Sequence, residues 1–188
     1  MIKCRFQVNK LLFLVTAVIC LNGCFLLKVH DPKLEQRALE LIDQAVVLMR
    51  QGDLNKAEAA FQVSQELVNL PASLDGLGCI AFLRGDNTLA EDFFKEALDL
   101  DFRYTKAIGN LALLYEQMGR PKQADEYFNR AIKLDPANYR IRNNYAIFLA
   151  QSDSSSKRLA REQLAKASVL VETPIIEANM LELSKRGE

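Results

Sequence analysis

A spacing of about 34 residues recurs along this chain and constrains its fold more than any other feature. Three glycines, Gly52, Gly85 and Gly119, are separated by 33 and 34 residues. Each is followed at fixed distances by an alanine, a phenylalanine and another small residue: Ala57, Phe61 and Ser64; Ala90, Phe94 and Ala97; Ala124, Phe128 and Ala131. Such a period predicts stacked copies of one supersecondary unit, each too small to bury its apolar face alone.

Two segments carry the repeat most fully, "SLDGLGCIAFLRGDNTLAEDFFKEALDLD" and "AIGNLALLYEQMGRPKQADEYFNRAIKLDP". They resemble the tetratricopeptide repeat, a 34-residue helix-turn-helix. The signature positions match at Leu77, Gly78, Gly85, Ala90, Phe94 and Ala97 in the first segment, and at Leu111, Ala112, Tyr115, Gly119, Ala124, Phe128, Ala131 and Pro136 in the second. A weaker copy begins near Ala38, where Gln44 and Asn69 replace the usual leucine and proline.

The resemblance implies an all-α fold, a tetratricopeptide helix-turn-helix solenoid of about four helical hairpins with a C-terminal capping helix. The expected repeats cover about residues 38–70, 71–104, 105–138 and 139–172, within a domain of residues 31–188. In the fourth unit, Ala160, Leu164 and Ala167 are shifted by two positions, so a terminal helix pair that only looks like a repeat stays an alternative. The abundance of alanine, leucine, glutamate and lysine also favours helices.

Two aspartate- or threonine-proline pairs predict the ends of the array. Asp31-Pro32 is expected to start the first helix. Thr173-Pro174 is expected to start the capping helix, with the threonine as N-cap and the proline in the first turn.

The first 23 residues have the layout of a secretory signal peptide. Lys3, Arg5 and Lys10 supply positive charge, and the eleven residues from Leu11 to Leu21 form an apolar segment. A membrane-spanning helix needs about 20 apolar residues. If the apolar segment is extended through residues 25–27, it approaches that length, so an uncleaved membrane anchor stays an alternative.

The cysteine after this segment points to lipidation. The stretch "LNGC", residues 21–24, resembles the bacterial lipobox, with an aliphatic residue at −3, a small one at −1 and Cys24 as the lipidated, palmitate-bearing residue. Residues 24–30 are then a lipidated linker. The resemblance implies a bacterial lipoprotein, and Phe25 in place of an aspartate favours the periplasmic face of the outer membrane. Acylation by two or more chains gives a stable anchor.

Few residues are left for chemistry after cleavage. Cys79 is the one cysteine that is neither in the signal peptide nor lipidated, and we expect it to be a buried small apolar residue. His30, the one histidine, lies in the linker. The acidic pairs Glu91-Asp92 and Asp125-Glu126 are expected on solvated helix faces. No nucleotide, metal or nucleophile motif is present, which predicts no enzymatic activity, no cofactor and no metal.

Charge argues against nucleic acid as a partner. Residues 1–23 hold three of the 24 basic residues and no acidic one, so residues 24–188 carry a net charge of −3. A mildly acidic protein of this kind lacks the net positive charge that is typical of proteins that bind the phosphates of nucleic acid.

By repeat register, a protein or peptide is expected in the concave groove that the first helices of the repeats line. The expected groove residues are Ile42, Val46, Met49, Asp75, Cys79, Phe82, Lys106, Gly109, Asn110, Leu113, Glu116, Arg140, Asn143, Asn144 and Ile147. Val46, Leu113 and Ile147 could instead be core. Asn110, Arg140 and Asn144 are similar to part of the clamp that some tetratricopeptide domains use for a C-terminal carboxylate. Asp75 and Cys79 stand where that clamp has a basic residue and an asparagine.

The segment "LDPANYRIRNNYAIFLAQ" resembles the type IV pilus biogenesis lipoproteins, pilotins of the outer-membrane secretin, with Tad-type pilus lipoproteins as a close rival. The resemblance implies a membrane-anchored scaffold for pilus or secretin assembly. An adaptor lipoprotein for peptidoglycan hydrolases or synthases is the alternative.

Overall fold

Nine helices form within the residues that the computed structural model describes, 31–151 and 156–185. Their bounds are α1 Pro32–Arg50, α2 Leu54–Leu67, α3 Pro71–Leu83, α4 Asn87–Leu100, α5 Thr105–Gln117, α6 Pro121–Leu134, α7 Tyr139–Gln151, α8 Ser156–Leu170 and α9 Pro174–Lys185. These ranges contain no strand, and the predicted all-α fold is confirmed. By its internal contacts the chain divides between residues 36 and 37, and the packing described below lies on the C-terminal side of this division.

The predictions about the N-terminal segment fall outside the described residues. They concern the signal peptide at residues 1–23, the lipidated Cys24 and the linker with His30. They stay predictions.

Tight turns at the repeated glycines join the paired helices. Gly52, Gly85 and Gly119 have φ angles of +82°, +82° and +68°. These are left-handed backbone conformations, which glycine adopts without the steric penalty that a Cβ brings. In the first two turns the next residue caps the following helix: Asp53 accepts a hydrogen bond from the backbone N–H of Lys56, and Asp86 accepts one from that of Leu89.

The repeated alanines and phenylalanines form the core of the solenoid, as predicted. Ala57, Ala90 and Ala124 are fully buried, and the three phenylalanines at the next repeated position are 1% exposed: Phe61, Phe94 and Phe128. Helix α3 pairs with α4, α5 with α6, and α7 with α8, while α3 also contacts α5 and α5 contacts α7. Ala45 of α1 shares a core cluster with Ala57 of α2. Successive hairpins therefore bury one another's apolar faces.

Helix α9 closes the array by packing on α7 and α8. It begins at Pro174 as predicted, and its buried residues are Ile176 and Leu183. The predicted side-chain cap does not form, because the Thr173 hydroxyl is buried without a hydrogen-bond partner in the described part of the chain. Backbone bonds hold the first turn instead, from the N–H groups of Ile176 and Glu177 to the Thr173 carbonyl.

Glu91 and Asp125 were predicted to lie on solvated helix faces, and for these two residues the prediction was wrong. Both side chains take part in the packing between repeats. The Glu91 side chain is only 16% exposed, accepts a hydrogen bond from the Tyr115 hydroxyl and pairs with Lys95 and Arg120. Asp125 accepts a bond from the Tyr145 hydroxyl at 2.7 Å. Each acid lies on the second helix of one hairpin and each tyrosine on the first helix of the next, so the bonds join adjacent repeats.

Candidate functional site

An open cavity of about 280 Å³ lies along the first helices of the second, third and fourth hairpins. These helices are α3, α5 and α7. The cavity lining includes seven of the predicted groove residues: Asp75, Lys106, Gly109, Asn110, Leu113, Arg140 and Asn144. The register of the repeat thus brings together residues of different hairpins, such as Asp75 and Asn110, which are 35 residues apart in sequence.

Asp75 is the most unusual residue in the cavity. It is 8% exposed, and Asn110 donates a 2.8 Å hydrogen bond to its Oδ1. Burial raises the pKa of the Asp75 carboxyl to about 6, and the Asn110 bond and the Lys106 charge offset only part of this effect. At neutral pH the cavity therefore contains a poorly solvated carboxylate.

Cys79 lies one helical turn after Asp75 on α3. Its sulfur accepts a hydrogen bond of 3.3 Å from Nδ2 of Asn110. Burial, together with the nearby Asp75 charge, raises the pKa of the thiol to about 12. The thiol is thus protonated and poorly nucleophilic at neutral pH. It is half-buried, slightly more open than expected for a core residue.

Arg140 and Asn144 connect this cavity to a second one of about 300 Å³, which both residues also line. The second cavity lies between α7 and the start of α9, beside Thr173, Ile175 and Ile176. The accessible surface therefore continues from a charged end near Asp75 to an apolar end at α9.

Two predicted residues of α7, Asn143 and Ile147, lie beside the capping helix, and Asn143 also lines the second cavity. Asn143 is 6% exposed, and its Oδ1 accepts a 2.7 Å bond from Nδ2 of Asn179. Ile147 lines a small cavity of about 230 Å³ that Asn179 and Leu183 share. Helix α9 occupies the place that the first helix of a fifth hairpin would have, and sequence spacing gave no sign of its contacts.

The remaining predicted residues lie at the rim or on the core. Ile42 and Met49 of α1 pack against the core cluster around Phe61, and Val46 is 36% exposed. Phe82 packs against the main core, as the cavity residue Leu113 also does in part. Burial raises the pKa of the Glu116 carboxyl. Sequence analysis did not anticipate several other cavity residues: Thr105, Phe128, Asn138 and Ile141.

Within residues 31–151 and 156–185 there is no cluster of three or more histidine, cysteine, aspartate or glutamate side chains suited to a metal ion. None of the described helices is long and apolar enough to cross a membrane.

Comparison with known sequences agrees with this architecture. Residues 105–138 match the tetratricopeptide repeat family. The chain is 30% identical over 76 residues to an uncharacterised protein, ycf37, of Pyropia yezoensis, covering 40% of this chain and 42% of that protein. It is 32% identical over 93 residues to the type IV pilus assembly protein PilF of Pseudomonas aeruginosa, covering 50% of this chain and 35% of PilF. The chain thus spans less than half the length of these relatives.

Solved structures show the same fold. The structure of Pseudomonas aeruginosa pilF superposes with a TM-score of 0.72 at 17% identity, over 82% of this chain and 70% of that one. The first tetratricopeptide domain of Spaghetti (RPAP3), bound to the HSP90 peptide SRMEEVD, gives a TM-score of 0.55 at 20% identity, over 61% of this chain and 91% of that one. The fold of the described residues is therefore that of a tetratricopeptide repeat solenoid. Among characterised relatives, this chain is similar to PilF in both sequence and fold.

Proposed function

We propose that this protein is a non-enzymatic, lipid-anchored scaffold that takes part in type IV pilus or secretin assembly in a bacterial envelope. The likeness to PilF carries this proposal, because 93 residues align at 32% identity and the fold matches that of pilF. The continuous groove on α3, α5 and α7 supplies a surface for a protein or peptide partner. Extended peptides and helices are the ligands that such grooves accommodate.

The proposed organisation places this groove close to the membrane. Residues 1–23 are the signal peptide, Cys24 carries the lipid, residues 24–30 form a short linker and residues 31–188 form the repeat domain. We place the mature protein on the periplasmic face of the outer membrane. A scaffold without catalytic groups depends on such a location, since it acts by bringing partners together.

Purification from detergent-solubilised envelopes tests the pilus assignment. A tagged full-length chain should retain secretin or pilus components, and deletion of its gene should reduce secretin multimers and surface pili. The alternative predicts peptidoglycan hydrolases or synthases among the retained proteins. Intact secretin multimers and normal piliation in the deletion strain would oppose the pilus assignment.

Substitution of the lipidated cysteine tests the anchor separately. Cys24→Ala should abolish labelling by radioactive palmitate and leave the uncleaved precursor. Cys79→Ala is the matched control, since that thiol belongs to the repeat domain, and it should label normally. Unchanged labelling of Cys24→Ala would contradict the lipoprotein assignment.

A further inference from the structure

Asp75 accepts a hydrogen bond from Asn110 of the next hairpin and also has features of a binding group. It is 8% exposed, yet it lines the open cavity between α3 and α5. Its hydrogen-bond partner is the neutral Asn110 amide, and in the described part of the chain no lysine or arginine lies within 4 Å of it. A buried carboxylate without a cation is unfavourable, because desolvation penalises the charged form.

The hydrogen bond from Asn110 does not require a negative charge at this position. An asparagine could accept the same bond from Asn110, and the first and third hairpins hold Ile42 and Gly109 on the corresponding helix turn. A poorly paired charge in a concave site with convergent polar groups indicates a role in recognition.

Lys106 lies nearby on the rim of the same cavity. Its side chain is exposed and makes no ion pair among the described residues, although its charge partly lowers the pKa of Asp75. Because the Lys106 ammonium is solvated and does not form an ion pair with Asp75, the Asp75 carboxylate can still bind a closer cation. The Lys106 charge also competes weakly with such a cation. Removing Lys106 should therefore strengthen binding of a cation, whereas removing the Asp75 charge should weaken it.

We propose that the groove binds a peptide segment that places a basic side chain, lysine or arginine, against Asp75. The inference rests on the proposed role as a peptide-binding scaffold and specifies its ligand. An ammonium or guanidinium group would form charge-assisted hydrogen bonds to the carboxylate, which are stronger than the neutral bond from Asn110. A ligand carboxylate at the same place would be repelled. Asp75 is therefore a specificity-determining residue.

Nuclear magnetic resonance on the full chain in detergent micelles tests the site with defined probes. The probes are N-acetyl-lysine methylamide, the arginine analogue and N-acetyl-glutamate methylamide, and the readout is the side-chain amide of Asn110. The basic probes should cause saturable shifts with a Kd of about 10 mM, as expected for small fragments, and the glutamate probe should not. No saturation at about 100 mM basic probe, or preference for glutamate, would overturn the inference.

Two substitutions in the cavity should act in opposite directions. Asp75→Asn keeps the acceptor for Asn110 and should weaken binding of the lysine probe by about tenfold. Lys106→Met removes the competing cation and should strengthen it about two- to threefold. Asp99→Asn, at an exposed acid of α4, is the matched control and should leave the Kd unchanged. Equal weakening by Asp75→Asn and Asp99→Asn would show nonspecific attraction and overturn the site.

The outcome is separable from that of the envelope experiment. If the basic probes fail while the tagged chain still retains pilus or secretin components, only the ligand inference is lost. If the basic probes bind at Asp75 and no such component is retained, the site stands and the pilus assignment is lost.

Discussion

The hydroxyl of Tyr145 donates a 2.7 Å hydrogen bond to Oδ1 of Asp125 and thereby joins α7 to α6 of the preceding hairpin. Asn129 donates to both residues and holds the pair in place. Burial raises the pKa of the Tyr145 hydroxyl to about 12, so it remains a donor at neutral pH. The same kind of bond recurs one repeat earlier between Tyr115 and Glu91 at 3.0 Å.

Removal of the Tyr145 hydroxyl should weaken the contact between these hairpins. Tyr145→Phe is expected to lower the free energy of unfolding by about 1–2 kcal/mol, because a half-buried carboxylate loses a charge-assisted bond. Urea denaturation measures this change. Tyr139→Phe is the control, since its hydroxyl takes part in an exposed bond from Arg140, and it should change stability by less than about 0.5 kcal/mol. Equal effects of the two substitutions would contradict the assignment.

The stability of the protein should depend on the protonation of Asp75. Its pKa is raised from 3.8 to about 6 in the folded chain, chiefly by burial. The folded state therefore holds this proton more tightly than the unfolded state. The stabilisation that results is fully present below pH 3.8 and is lost as the pH rises through about 6.

A comparison of wild type with Asp75→Asn isolates this effect. Relative to the variant, wild type should gain about 1–3 kcal/mol of unfolding free energy between pH 7.5 and pH 4.5. At pH 7.5 the variant should be the more stable protein. Other acids, including Glu91, titrate in both proteins and cancel in the difference. Parallel pH profiles would mean that the Asp75 carboxyl is not desolvated.

A methyl group added at Gly78 should disturb the contact between α3 and α4. A Cβ there would lie 2.6 Å from Cε1 of Phe94, a ring that is 1% exposed and has little room to move. We expect Gly78→Ala to destabilise the fold by about 1–3 kcal/mol in urea denaturation.

Gly109→Ala is the matched control for this packing effect. Its Cβ would meet Ile141 at 3.5 Å, an ordinary van der Waals distance. It should leave stability unchanged or raise it by up to about 1 kcal/mol, since alanine favours helices over glycine. Similar losses in both variants would contradict the close approach of Phe94 to α3.

A charge in the contact between paired helices should unfold the array. Ala124 is fully buried at the repeated alanine position of α6, so Ala124→Glu would place an unpaired carboxylate in the core. We expect a loss of at least about 4 kcal/mol, seen as a missing or strongly lowered thermal transition. The neighbouring Gln123 is exposed, and Gln123→Glu should leave the transition unchanged. A normal transition in Ala124→Glu would mean that the repeat register is wrong.

The fold was predictable because its determinants are local and periodic. The glycine turns, the buried alanines and the phenylalanines between hairpins follow from spacing alone, and the structure confirms each of them. Seven predicted groove residues also line one cavity, because register fixes which face of each first helix points inward.

The errors concern contacts that spacing does not encode. Glu91 and Asp125 look like surface acids on their own helices, and their tyrosine partners lie 24 and 20 residues away. Asn143 has the register of a groove residue and lines the second cavity, but spacing did not predict the bond that it accepts from Asn179, 36 residues later. The Thr173 side chain does not cap α9, although its residue type favours this. In each case tertiary packing decided the environment of the side chain.

Photocrosslinking in the envelope tests most directly whether the groove is the scaffold's binding surface. Benzoylphenylalanine replaces Leu113, which lines the cavity, or Leu89, a 43% exposed residue of α4 outside it. After irradiation of living cells, adducts are identified by mass spectrometry. We predict a secretin or pilus assembly component attached at position 113 and absent at position 89. Equal adducts at both positions, or peptidoglycan enzymes alone at position 113, would contradict the account.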